Sequence, residues 1–124
     1  MGDRALIQLT NKSGEVSPVL YMHWSGSSVA AILCRAQDQM KGRANDVDYA
    51  FARLVQQATG RDLGNTGFGV WNQSERLTAD DSHGDAGCFV VDVSTEAWAV
   101  AQGGGYGLGD EHSFPVTGLQ QVSA

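Results

Sequence analysis

Two stretches near the start of the chain, rich in apolar residues and parted by a polar turn cluster, have a strand-type pattern. Ala5-Leu6-Ile7-Gln8-Leu9-Thr10 has the composition and length of a short β-strand and stops at the turn cluster Asn11-Lys12-Ser13-Gly14. Val16 to Trp24 resumes the strand pattern, with Pro18 near its start. Proline donates no backbone hydrogen bond, so that end is expected at an edge or outside the ladder. The two runs together predict a hairpin.

The period then changes. Val29, Ile32, Leu33, Ala36 and Met40 recur at helical spacing behind the N-cap hydroxyls of Ser27 and Ser28, and Gly42 supplies a stop. A second helix starts at Asn45 or Asp46 as cap. Its stripe is Val47, Ala50, Phe51, Leu54, Val55 and Ala58, and Gly60 ends it. The short connection 41–44 predicts that the helices pack as a pair. Strand patterns return at Phe68–Trp71, Cys88–Val93 and Ala97–Ala101, with a weaker one around Phe114–Val116. Between them, residues 79–87 read as an exposed acidic loop, and Gly103–Gly109 as a flexible glycine-rich loop. The order ββ-αα-βββ segregates strands from helices. It predicts a single α+β domain over residues 1–124, with a mostly antiparallel sheet and the helix pair on one face.

Composition agrees with a folded interior. The chain has 124 residues, 42% of them hydrophobic, with three Trp, four Phe and three Tyr against 16 Gly. Cys34 and Cys88 are the only cysteines and show no zinc-type spacing, which predicts two free thiols in a reducing compartment. No apolar run approaches the roughly 18 residues of a membrane span. Met1-Gly2-Asp3-Arg4 leads into a strand pattern and not a signal peptide, and Leu6 stands where a myristoylation signal has Ser or Thr. These features predict a cytoplasmic protein without membrane partners.

Charge changes the picture more. Residues 1–76 hold all eight Lys and Arg with seven acids, whereas 77–124 hold Asp80, Asp81, Asp85, Asp92, Glu96, Asp110 and Glu111 and no cation. A nucleic-acid binder needs cations to neutralise phosphates, so direct nucleic-acid binding is not expected. An acidic face for a basic partner fits, and so does simple solubility.

The densest cluster of chemistry-bearing residues is Tyr21-Met22-His23-Trp24-Ser25-Gly26-Ser27-Ser28. A strand delivers an imidazole, a glycine frees the backbone, and a helix N-terminus follows with its unpaired N–H groups. His23, Ser25, Gly26, Ser27 and Ser28 are thus a candidate anion or ligand site, with His23 able to serve as an acid–base group. Alternation sends His23 and Trp24 to opposite faces. A purely architectural corner, with Trp24 in the core and the serines capping, fits the same residues.

Other candidates are weaker. Asp81-x-His83-x-Asp85 departs from the calcium-loop pattern, so no metal is expected. Ser25 and Ser27 lack a nucleophile elbow, no spacing pairs a cysteine with a histidine, and Gly103–Gly109 lacks the register and lysine of a phosphate loop. No cofactor and no catalytic residue follow from the sequence. Tyr106, within the glycine-rich run, is a candidate partner contact together with Asp80, Asp81, Asp85, Asp110 and Glu111.

Several segments resemble a family of short proteins of bacteriophages and other mobile elements. They are Asp3-Arg4-Ala5, Pro18 to Gly26 with its Tyr-x-His-Trp-x-Gly strand end, Tyr49 to Arg53, Thr66 to Val70, and Val90-Val91-Asp92. The likeness spans most of residues 3–100; it departs at Asp3, where Asn is commoner, and after residue 102. The resemblance implies a phage setting. By analogy with small acidic anti-CRISPR proteins, it implies an inhibitor of a host defence complex, acting on a protein or nucleoprotein with a basic surface in competition with nucleic acid. Two other readings stand beside it: a small enzyme or anion-binding domain built on His23, and a structural or regulatory phage protein assembling through 103–109.

Overall fold

The two β-type runs at the start of the chain do form the hairpin that the turn cluster between them predicts. In the computed structural model, which describes residues 4–23, 29–60, 67–77, 87–95 and 98–104, β1 is Ala5–Thr10 and β2 is Val19–Met22. They pair antiparallel, with Ala5 opposite Met22 and Ile7 opposite Leu20. The second strand starts later than the apolar run because Pro18 interrupts it. Thr10 bridges Val16, so Gln8 and Leu9 on one side face Ser17, Pro18 and Val19 on the other, a bulge of one residue. Ser17 repairs the ladder there. Its N–H donates to the Leu9 carbonyl (2.9 Å), and its Oγ accepts from the Leu9 N–H (2.9 Å) while donating to the Pro18 carbonyl (2.6 Å).

Helix α1 spans Val29–Gln39 and α2 spans Val47–Thr59. Asp46 caps α2 by accepting from the Tyr49 N–H at 3.0 Å, and Gly60 closes it at φ 51°. Asn45 takes φ 65° just before the cap, a conformation that asparagine tolerates better than most residues. The apolar stripes of both helices merge with Ala5, Ile7, Leu9, Leu20, Met22, Phe89, Val91 and Val100 in one core. The helix pair therefore covers one face of the sheet, as expected.

Three further strands complete that sheet: β3 Phe68–Trp71, β4 Gly87–Asp92 and β5 Ala99–Gly104. The order is β3-β2-β1-β4-β5. Three neighbour pairs are antiparallel and β1–β4 is parallel, so the α+β fold has a mixed sheet dominated by antiparallel pairing. One expectation is corrected. The glycine-rich loop was to begin at residue 103, yet Gly103 and Gly104 pair with Phe89 and Cys88 inside β5. Glycine lacks a side chain to pack but keeps its backbone donor and acceptor, and the paired β4 backbone is enough to hold it in the ladder. The acidic stretch 79–86, residues 105–109 and the tail strand expected at 114–116 lie outside the described residues.

The second face of the sheet carries a smaller cluster of Leu6, Val19, Leu77, Cys88 and Val90, with Tyr21 packed against it. Gln8 is fully buried on this side. Its Nε2 donates to the carbonyls of Ser17 (3.2 Å) and Glu75 (3.0 Å), and its Oε1 accepts from the Leu77 N–H (2.9 Å). The segment after β3 is thereby tied across the sheet. Asn11 does similar work at the other end of β1. Its Oδ1 accepts from the Ser13 and Glu15 N–H groups, and its Nδ2 donates to Glu15 Oε1 and to the Asn45 carbonyl. Both cysteines are free thiols. Cys34 packs on the helix side and Cys88 on the other, so the sheet separates them.

Candidate functional site

Strand β2 places Tyr21 and His23 on the same face, two residues apart, as alternation requires. The Tyr21 hydroxyl and His23 Nδ1 share a hydrogen bond of 2.6 Å, with ring centroids 6.0 Å apart. The His23 N–H donates to the Gly67 carbonyl at 2.8 Å and prolongs the β2–β3 ladder by one pair. Tyr21 itself lies opposite Gly69. The imidazole is thus oriented by its neighbour and anchored through its backbone. Chemically, an imidazole is a group that can exchange a proton near neutral pH or take part in binding an anion.

Trp24, Ser25, Gly26, Ser27 and Ser28, the rest of the predicted junction, lie outside the described residues, as do Asp80, Asp81, Asp85, Tyr106, Asp110 and Glu111. Of the predicted site residues, His23 alone is placed. Two surface clefts are lined by described residues: one of about 390 Å³ by Arg35, Gln56, Gln57 and Gly60, and one of about 410 Å³ by Gly14, Glu15, Val16, Pro18, Asn72, Gln73 and Ser74. Neither includes His23. Among the described residues no group of three or more His, Cys, Asp or Glu is arranged to hold a metal ion, and no helix is long and apolar enough to cross a membrane.

Two features escape the sequence patterns. Tyr49 in α2 carries two guanidinium groups against its ring, Arg43 at 4.0 Å and Arg53 at 4.5 Å from the centroid. Arg43 also pairs with Asp46 at 3.1 Å, whereas Arg53 Nε is buried with no hydrogen-bond partner among the described residues. Tyr49 and Arg53 are four apart on one helix, a spacing that could have signalled the contact; Arg43 reaches the ring from the preceding loop, which periodicity does not report. The Tyr49 N–H bond and, less strongly, Arg43 hold the Asp46 carboxyl below the usual carboxylate range.

The second feature is β3. Among the described residues, Val70 and Trp71 are the large apolar side chains left most open, 53% and 39% exposed. Trp71 Nε1 donates to Gln73 Oε1 at 3.1 Å, which fixes the indole at the strand's end. An aromatic residue closing a strand and followed at once by Asn72-Gln73-Ser74 was the available signal for an open edge.

No family model, curated protein or solved structure matches the chain.

Proposed function

We propose that this chain is a non-enzymatic protein-binding domain, a phage-encoded inhibitor of a host defence complex of the anti-CRISPR type. The observation that carries the reading is the charge distribution: seven acids and no Lys or Arg in residues 77–124. Such a segment attracts a basic surface, steers the encounter and competes with the phosphate backbone that the surface would otherwise hold. A small, well-packed α+β body gives it a rigid support. The resemblance to short phage proteins supplies the setting. The partner is accordingly a host protein or nucleoprotein with a lysine- and arginine-rich channel, met in the host cytoplasm.

The test is affinity capture from a lysate of the host, with mass spectrometry, followed by phage plating with and without the captured system. The reading expects a defence component with a basic nucleic-acid channel, and plating restored by this chain only where that component is present. Capture of nothing beyond the background, or plating indifferent to the chain, contradicts it.

A second reading is favoured by the Tyr21–His23 hydrogen bond: an anion-binding or small catalytic site built on His23 and the N-terminus of α1. It expects His23→Ala to abolish ligand binding with the fold intact.

A further inference from the structure

Strand β3 closes one side of the sheet, and its ladder with β2 fixes which of its backbone groups point away. The His23 N–H bonds to the Gly67 carbonyl, and Tyr21 pairs with Gly69 and Val19 with Trp71. In an antiparallel pair the residues alternate between facing the neighbour and facing outward. Gly67, Gly69 and Trp71 therefore face β2, while Phe68 and Val70 direct N–H and C=O outward. Among the described residues no strand pairs with that outer side.

Folded proteins blunt such an edge with charge, proline or a bulge. Phe68-Gly69-Val70-Trp71 has none of these, and it exposes Val70 and Trp71 beside the outward groups. At the Trp71 end, the cleft formed by Gly14, Glu15, Val16, Pro18, Asn72, Gln73 and Ser74 has a carboxylate, Glu15, as its one ionisable group. Glu15 is exposed and is held toward the hairpin turn by the Asn11 amide at 2.6 Å. The whole chain carries −6.

We propose that the β3 edge accepts an extended basic segment of a partner protein as a sixth strand, with a lysine or arginine of that segment reaching the Glu15 cleft. Phe68 and Val70 supply the main-chain hydrogen bonds, Val70 and Trp71 supply apolar contact on alternate faces, and Glu15 selects for cationic side chains. The proposal rests on the reading of the chain as a binder of basic protein surfaces and adds where and in what conformation the partner is held.

A defined probe tests the edge without the host target. The full chain, labelled with ¹⁵N, is titrated with a short capped peptide alternating valine and threonine with lysine, and with its glutamate counterpart. The lysine peptide is expected to shift the amides of Phe68–Trp71, to slow hydrogen exchange at Phe68 and Val70, and to bind at least about tenfold more tightly than the glutamate peptide. Val70→Pro removes one outward donor at an edge position where proline is tolerated, and should weaken binding about tenfold with the fold retained. N-methylating the peptide amides that face the edge should do the same and leaves the protein untouched. Glu15→Gln should erase most of the preference for lysine over glutamate. Shifts elsewhere, no shift, equal affinity for both peptides, or a chain dimer that pairs through β3 and excludes the peptide would each overturn the proposal. A failure here with host-partner capture intact removes the edge and leaves the acidic-segment reading standing.

Discussion

Gln8 and Leu77, sixty-nine positions apart in the chain, are joined by a 2.9 Å hydrogen bond from the Leu77 N–H to the Gln8 side-chain oxygen. The same amide donates to the Ser17 and Glu75 carbonyls, so one buried side chain ties the hairpin bulge and the segment after β3 to the middle of the sheet. Leucine fills a similar volume but satisfies none of these groups. Gln8→Leu should therefore destabilise the fold by roughly 2–4 kcal/mol, because unpaired buried groups cost about 1–3 kcal/mol each. Urea unfolding measures it. A neutral result would mean that water takes over the bonds.

Ser17 makes a narrower prediction. Its hydroxyl stands in for a backbone acceptor opposite Leu9 at the bulge beside Pro18. Ser17→Ala leaves a buried N–H without its partner and should cost about 1–3 kcal/mol. Hydrogen exchange should show the loss first at Leu9, whereas the amides of α2 should keep their protection.

Asp46 sets an acid-side dependence. Its carboxylate is favoured in the folded chain by the Tyr49 N–H first and then by Arg43, so its folded pKa lies below the unfolded one. The stabilising contribution is complete above the unfolded carboxylate pKa and disappears as pH falls through the lower folded value. Asp46→Asn keeps a capping oxygen but cannot titrate, so part of the slope in thermal stability over that acid range should vanish. The slope remaining unchanged would show that other carboxylates produce it.

Much of this architecture is legible in the sequence because it is local. The helix stripes, the Asp46 cap, the Gly60 stop and the tight hairpin each depend on residues a few positions apart. The parallel pairing of β1 with β4 and the Gln8 and Asn11 networks are not legible, since they join segments that only tertiary packing brings together. Glycine content also misleads at Gly103 and Gly104, where pairing with β4 overrides a poor strand preference. Of the candidate site, the sequence predicts that His23 ends a strand, but its tie to Tyr21 is a matter of side-chain geometry.

His23 separates the two functional readings. If the chain works as an acidic binder, His23→Ala should change partner affinity by less than about twofold, since the imidazole is already engaged with Tyr21. Calorimetric titration of wild type and variant against the captured partner measures this. A large loss with unchanged melting would favour the anion-site reading.

The most direct measurement is the affinity of the captured host partner for the triple variant Asp80→Lys, Asp81→Lys, Asp85→Lys across a salt series. Electrostatic docking predicts that wild-type binding weakens steeply with salt. The variant should bind at least about tenfold more weakly at low ionic strength, with the difference shrinking as salt rises. Equal affinity of the two proteins at every salt concentration would contradict the central claim.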